Sequence, residues 1–162
     1  MQNAKDTFYI ALRNRLTVVN PVRTMTLRGI TRPGILVEDA EATMAQPLLD
    51  AFTLRWTKLA IDVQLPSTMT QMTCEIHYAT AGTQANGGLD RGRALEEMDD
   101  ELLQMLCPSS AQKFNYTQTP AVQMNTAIFW SRAIFAPSTA VRERLERVAT
   151  VSVFAFQEQG EL

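Results

Sequence analysis

Proton transfer at neutral pH most often uses a histidine, and the chain has one, His77. It stands two residues from Glu75 in a stretch where polar and apolar residues alternate. That spacing predicts a surface histidine on the wet side of a strand. A Ser-His-Asp site would have to use His77, and neither GxSxG nor another nucleophile turn occurs in the sequence. Cys74 and Cys107 lie far apart with no CxxC or Cys/His spacing, so neither a disulfide framework nor a zinc site has support; free buried thiols are expected.

Three further constellations bear on chemistry. Glu96, Glu97, Asp99, Asp100 and Glu101 form an acidic run whose spacing fits neither a calcium loop nor a carboxylate pair across a cleft, and a solvated helix face is expected. Gly87, Gly88 and Asp90 precede a predicted helix, but GxxxxGKS/T and GxGxxG are both absent, and an aspartate at the cap repels phosphate. Arg142, Arg144 and Arg147 interleave with Glu143 and Glu146, which makes them mixed charges and not a basic stripe. Pairing within a helical turn or contact with a charged protein are the two readings. Side chains expected at a subunit or partner contact are Arg91, Arg93, Arg142, Arg144, Phe114 and Tyr116.

The elements that would position these residues can be read from hydrophobic period. Phe8, Ala11, Leu12 and Leu16 recur at helical spacing, predicting a helix from about Ala4 to Val18, capped by Asn3, with Arg13 and Arg15 turned outward and Asn20-Pro21 ending it. Met25 to Ala42 reads as extended pieces broken at Gly29 and Pro33-Gly34, with Ile35 to Val37 the strongest strand. Phe52 to Leu65 predicts a long strand with Leu59, Ile61, Val63 and Leu65 on a buried face and Lys58, Asp62 and Gln64 on a wet one. After a Pro66-Ser67 turn, Met72, Cys74, Ile76 and Tyr78 alternate in the same way, predicting an antiparallel hairpin.

A Gly/Asn loop then leads to Asp90 as N-cap and to a second helix carrying Leu95, Met98, Leu102, Met105 and Leu106, stopped by Pro108. Ser109 to Asn125 has no clean period and is a long loop or an arm. Thr126 to Ala136 predicts a strand, Arg142 to Arg147 a helical turn, and Val148 to Glu158 a last strand. Apolar groups on both faces of that strand make it either central or covered by a neighbouring subunit. Phe129, Trp130, Phe135, Phe154 and Phe156 are expected in a core, because no Lys/Arg band accompanies them as a stacking platform would need. The fold class implied is α+β: a mixed, mostly antiparallel sheet of about four to six strands packed by two main helices. Residues 1–162 are expected to form one domain, with a loop or arm at 108–125 and a frayed tail at Gly160 to Leu162.

Composition sets outer bounds. Across 162 residues, 46% are hydrophobic and 20% charged, which suits a packed core. The net charge of −2 supplies no field toward phosphate backbones, so specific nucleic-acid binding is not expected. There is no apolar run of membrane-spanning length and no signal-peptide layout at Met1 to Asp6, so cytosolic synthesis and no membrane partner are expected.

The order helix, extended hairpin region, long strand pair, Gly/Asn loop, second helix and final strand pair resembles that of tailed-bacteriophage tail terminator proteins. The stretches that carry the likeness are RNRL (Arg13 to Leu16), TKLAIDVQLP (Thr57 to Pro66) and NGGLDRGRALEEMDDELLQML (Asn86 to Leu106). They cover the first two-thirds of the chain better than its final strands. The resemblance implies a virion subunit that forms a homo-oligomeric, hexameric ring, caps the tail tube and joins it to the head connector or stopper protein. No catalytic, metal or cofactor residue is implied. Another neck or tail component, such as a stopper or completion protein, is the nearest rival. A small-molecule-binding or enzymatic domain with a pocket near Trp56, Tyr78 and Trp130 is the more distant one.

Overall fold

The structure, a computed structural model, describes residues 1–41, 47–62, 68–158 and 161, apart from the side chain of Asp39. Helix α1 (Gln2–Val19) buries Ala4, Thr7, Phe8, Leu12 and Leu16 along one stripe, as the period predicts. Asn3 does not cap it: the helix already begins at Gln2, and the Asn3 carbonyl accepts the Thr7 hydroxyl at 2.7 Å. At the other end the Asn20 Oδ1 takes the amides of Val22 and Arg23, each at 3.2 Å, turning the chain where Pro21 prevents further helix.

Strands β1 (Thr24–Leu27) and β2 (Ile30–Pro33) form a separate hairpin whose turn places Arg28 and Gly29 at φ of 51° and 81°. Both positive angles match the twist of a two-residue hairpin turn. Strand β3 (Ile35–Val37) follows, then the four-residue helix α2 (Glu38–Glu41). Strands β4 (Phe52–Asp62) and β5 (Met69–Thr80) pair antiparallel, as expected. Val63, Gln64, Leu65 and the Pro66-Ser67 turn lie outside the described residues, as does most of the tail from Gly160 to Leu162. A single 3-10 turn (Gln84–Asn86) leads to α3 (Arg91–Met105), which buries Leu95, Met98, Leu102 and Met105.

The remaining strands are β6 (Ser110–Asn115), β7 (Val122–Trp130), β8 (Ile134–Phe135), β9 (Thr139–Val141) and β10 (Arg144–Phe156). Among the described residues the main sheet has eight strands, in the order β3-β4-β5-β10-β7-β6, with β8 and β9 also paired to β10. All pairs are antiparallel except β3 with β4, so the fold is α+β with more strands than the four to six expected.

The extra strands have a physical explanation. Residues 108–125 hold the β6–β7 hairpin, whose register slips between Gln112 and Phe114, and a bulge destroys the period of two that marks a strand. The stretch after Trp130 is broken into short pieces that still line up along β10. Arg142 to Arg147 is not a helical turn. Arg142 has a φ of 56° and β10 starts at Arg144, because the chain reverses there to run back beside β9.

Both long helices lie on one face of the sheet. The side chains beneath them are Phe52, Leu54, Met72, Cys74, Ile76, Tyr78, Ile128, Trp130, Ala149, Val151, Val153 and Ala155, all in one buried cluster with α1 and α3. Burial of each large member is worth about 1.5–3 kcal/mol. Phe8 stands edge-on to Trp56 at 5.8 Å and to Trp130 at 5.4 Å, tying α1 to both halves of the sheet.

Candidate interaction surfaces

Polar groups expected on the outside turn up inside. Asp99 and Glu101 of the acidic run are each only 9% exposed, whereas Glu96, Glu97 and Asp100 remain on the wet face. The Asp99 carboxylate accepts from the Tyr78 hydroxyl and the Arg147 guanidinium. Burial pushes the Tyr78 phenol far up, and the neighbouring carboxylate adds to this, so the hydroxyl remains a donor. Glu101 takes the Arg23 guanidinium and, at 2.6 Å, the Asn20 amide, which locks the end of α1 to α3. Arg15 also departs from the outward position expected. It stacks 4.9 Å from the Trp130 ring centre and donates to the Met105 carbonyl at 2.8 Å, placing a cation at the C-terminus of α3.

Lys113 is fully buried, its ammonium 2.7 Å from the Phe156 carbonyl and 2.6 Å from the Glu161 carboxylate. Asp99, Glu101, Arg15 and Lys113 thus tie helix ends and strands together. They are structural ties, because each charged group already has its partners within the fold.

The residues singled out for chemistry are placed as follows. His77 is half-buried on the sheet face away from the helices, its Nε2 3.1 Å from the Glu75 carboxylate. Cys74 is buried and its thiol is pushed far above the ordinary range by that burial. Cys107 is exposed, contrary to expectation, because it lies past the last turn of α3. Asp90 precedes α3 yet makes no side-chain cap. Its carboxylate instead accepts from the Thr83 amide at 2.9 Å, the Thr83 hydroxyl at 2.6 Å and Asn86 at 3.2 Å, which hold it down at about 2. Among the described residues, no group of three or more His, Cys, Asp or Glu could hold a metal ion, and no helix is long and apolar enough to cross a membrane.

Trp56, Tyr78 and Trp130 do not meet around a pocket. Tyr78 and Trp130 are buried beneath the helices, while Trp56 floors a surface groove of about 240 Å³ with Lys5, Asp6, Tyr9 and Glu41.

The six expected contact residues fall into two groups. Arg91 donates to the Gly88 carbonyl at 2.8 Å and shares a cleft with Glu143, so the start of α3 and the β9–β10 turn, with Arg142 exposed on it, meet at one end of the molecule. Arg93, two residues further along α3, is exposed, and Arg144 reaches the Pro47 carbonyl at 3.2 Å. Phe114 and Tyr116 lie at the other end, half-buried, 6.1 Å apart on and just beyond β6.

One surface was missed. Phe129 and Phe154 stack at 5.2 Å with planes 11° apart, and Phe156 lies 6.4 Å from Phe129. They occupy the sheet face opposite the helices, where Phe129 keeps 37% of its surface exposed and Ile134 keeps 74%. The signal was available: β10 places Val151, Val153 and Ala155 on one face and Phe154 and Phe156 on the other. The structure answers the alternative posed by that pattern in part, because β10 is central in the sheet and, among the described residues, no helix lies over its outer aromatics.

Comparison of the sequence with protein-family models and with curated proteins finds no match.

Proposed function

We propose that the chain is a structural protein of a tailed-bacteriophage virion, a tail terminator that assembles as a hexameric ring, caps the tail tube and joins it to the head connector or stopper protein. The observation that carries this reading is the one-sided sheet. Two helices pack on one face, while the other presents an aromatic group, Phe129, Phe154 and Phe156, with exposed Ile134 further along β10, opposite Thr150. Apolar groups left exposed on a sheet face suit contact with another protein. As far as α3 the order of elements follows the layout that suggested the family; beyond it the structure has five strands, β6 to β10, where that layout has a strand pair. The mechanism is assembly by shape and edge complementarity, without a cofactor, a chemical step, a membrane or specific nucleic-acid binding.

The test is native mass spectrometry and electron microscopy of the purified protein, alone and mixed with tail tubes. Rings on tube ends are expected. A protein that joins neither itself nor a tube at any concentration would remove the proposal. Locating the subunit in whole particles separates a terminator from a stopper or completion protein.

A further inference from the structure

The sheet has two lateral edges. At one, β6, β8 and β9 are all short, and β6 is bulged, with its Phe114 amide already held by Thr7 Oγ1 of α1 at 3.1 Å. At the other, β3 accompanies β4 only from Phe52 to Leu54, and beyond that point no strand among the described residues pairs with β4 on the side away from β5. From Thr57 to Ile61 every residue of β4 is exposed, with Leu59 at 49% and Ile61 at 43%. An open edge bearing aliphatic side chains is a template for another strand.

The register with β5 fixes which way these residues point. The slip between Trp56 and Lys58 re-aims the strand, so that Leu59 and Ile61, opposite Met72 and Thr70, share the helix-bearing face. Lys58, Ala60 and Asp62, opposite Thr73, Gln71 and Met69, point to the other. The run Lys58-Leu59-Ala60-Ile61-Asp62 is therefore self-complementary when reversed.

We propose that β4 is a homodimerisation edge, at which two copies of the chain pair β4 with β4 antiparallel about a two-fold axis through Ala60. In that register Lys58 of each copy faces Asp62 of the other on one side of the joined sheet. Leu59 of each faces Ile61 of the other on the opposite side. Directly opposed residues are the unit of sheet stabilisation, and both kinds of pair here are favourable. Sliding the pairing by two residues either way sets Lys58 or Asp62 opposite Ala60 and loses both ion pairs. The paired segment stops short of Leu54, so β3 keeps its place. The Leu59 and Ile61 pairs come to lie beside the groove lined by Gln2, Lys5 and Trp56, which the second copy narrows. Such an isologous contact closes at two copies and does not propagate a ring, so it describes the free chain and does not rest on the tail reading.

Light scattering after size exclusion, over roughly 1 to 100 µM, tests this on the full chain, with dimer expected. Lys58→Asp and Asp62→Lys each turn both ion pairs into like-charge contacts. Each is expected to weaken dimerisation by roughly tenfold or more, and the double variant to restore it. Both positions are exposed, and circular dichroism checks that each variant keeps the fold. Ala60→Cys in a Cys107→Ser background should cross-link across the axis under mild oxidation. A monomeric wild type at the highest concentration, single variants that dimerise like wild type, a double variant that stays monomeric, or a dimer that Ala60→Cys fails to cross-link would each overturn the proposal. Tube binding by the monomeric single variants would leave the tail reading standing.

Discussion

Removing the carboxylate that matches the buried lysine should be the most damaging single change near the C-terminus. In wild type the Lys113 side chain has no exposed surface, and its ammonium has two partners, the Phe156 carbonyl and Glu161. Glu161→Ala leaves a buried cation facing one neutral acceptor. Breaking a buried pair from one side costs about 3–5 kcal/mol, and because the Phe156 carbonyl still accepts from the ammonium the lower end, about 3 kcal/mol, is expected here. For a chain of this length that corresponds to a fall in Tm of roughly 5–10 °C. Lys113→Met combined with Glu161→Ala replaces the pair by apolar volume and should recover most of the loss.

The same pair makes the acid limb of stability informative. Burial by itself would raise the Glu161 carboxyl, but the Lys113 ammonium, the Glu158 amide and Asn3 outweigh it and hold it below its ordinary 4.5. An acid depressed in the folded state adds stability that is present above 4.5 and lost as pH falls through the lower folded value. Urea titrations from pH 7 down to about 3 should therefore show a shallower loss for Glu161→Ala than for wild type. A Glu161→Ala protein within about 0.5 kcal/mol of wild type at pH 7 would refute the view that this pair clamps the tail.

Three other outcomes are expected. Met98→Ala, at a fully buried position of α3, should cost about 2–5 kcal/mol by denaturant titration, since the cavity lies between helix and sheet. Gly82→Ala should cost about 1–3 kcal/mol, because Gly82 has a φ of 74° and an added Cβ would stand 2.6 Å from the Asp90 carboxylate; hydrogen exchange should show the 81–90 loop loosened. His77→Ala should shift stability by less than about 0.5 kcal/mol and leave assembly on tail tubes intact, and a large loss of function without unfolding would revive an enzymatic reading.

The parts of the fold that were legible were those where period and burial coincide. Leu95, Met98, Leu102 and Met105 mark α3, and Met72, Cys74, Ile76 and Tyr78 mark β5, because each stripe faces the same continuous core. Leu59 and Ile61 show where that logic stops. Their alternation assigned them correctly to one face, but β4 runs past the ground the helices cover, so that face is open at its far end. Of the expected contact residues, Arg91 and the Arg142 turn were brought to one end, whereas Phe114 and Tyr116 went to the other. Sequence spacing carries no information about which loops share an end of the sheet.

By itself, then, the sequence determined the elements that propensity and period control: two amphipathic helices, the antiparallel β4–β5 pair and their inward faces. Only the tertiary structure decided the partners of Asp99, Glu101, Arg15 and Lys113, since a charged residue reads as solvent-facing until a distant cation, carbonyl or ring is brought within hydrogen-bonding reach. It alone decided which face of β10 the helices cover and which stretch of β4 has no further strand beside it among the described residues. Those are properties of strand order and helix placement, and they arise from contacts between residues far apart in the chain.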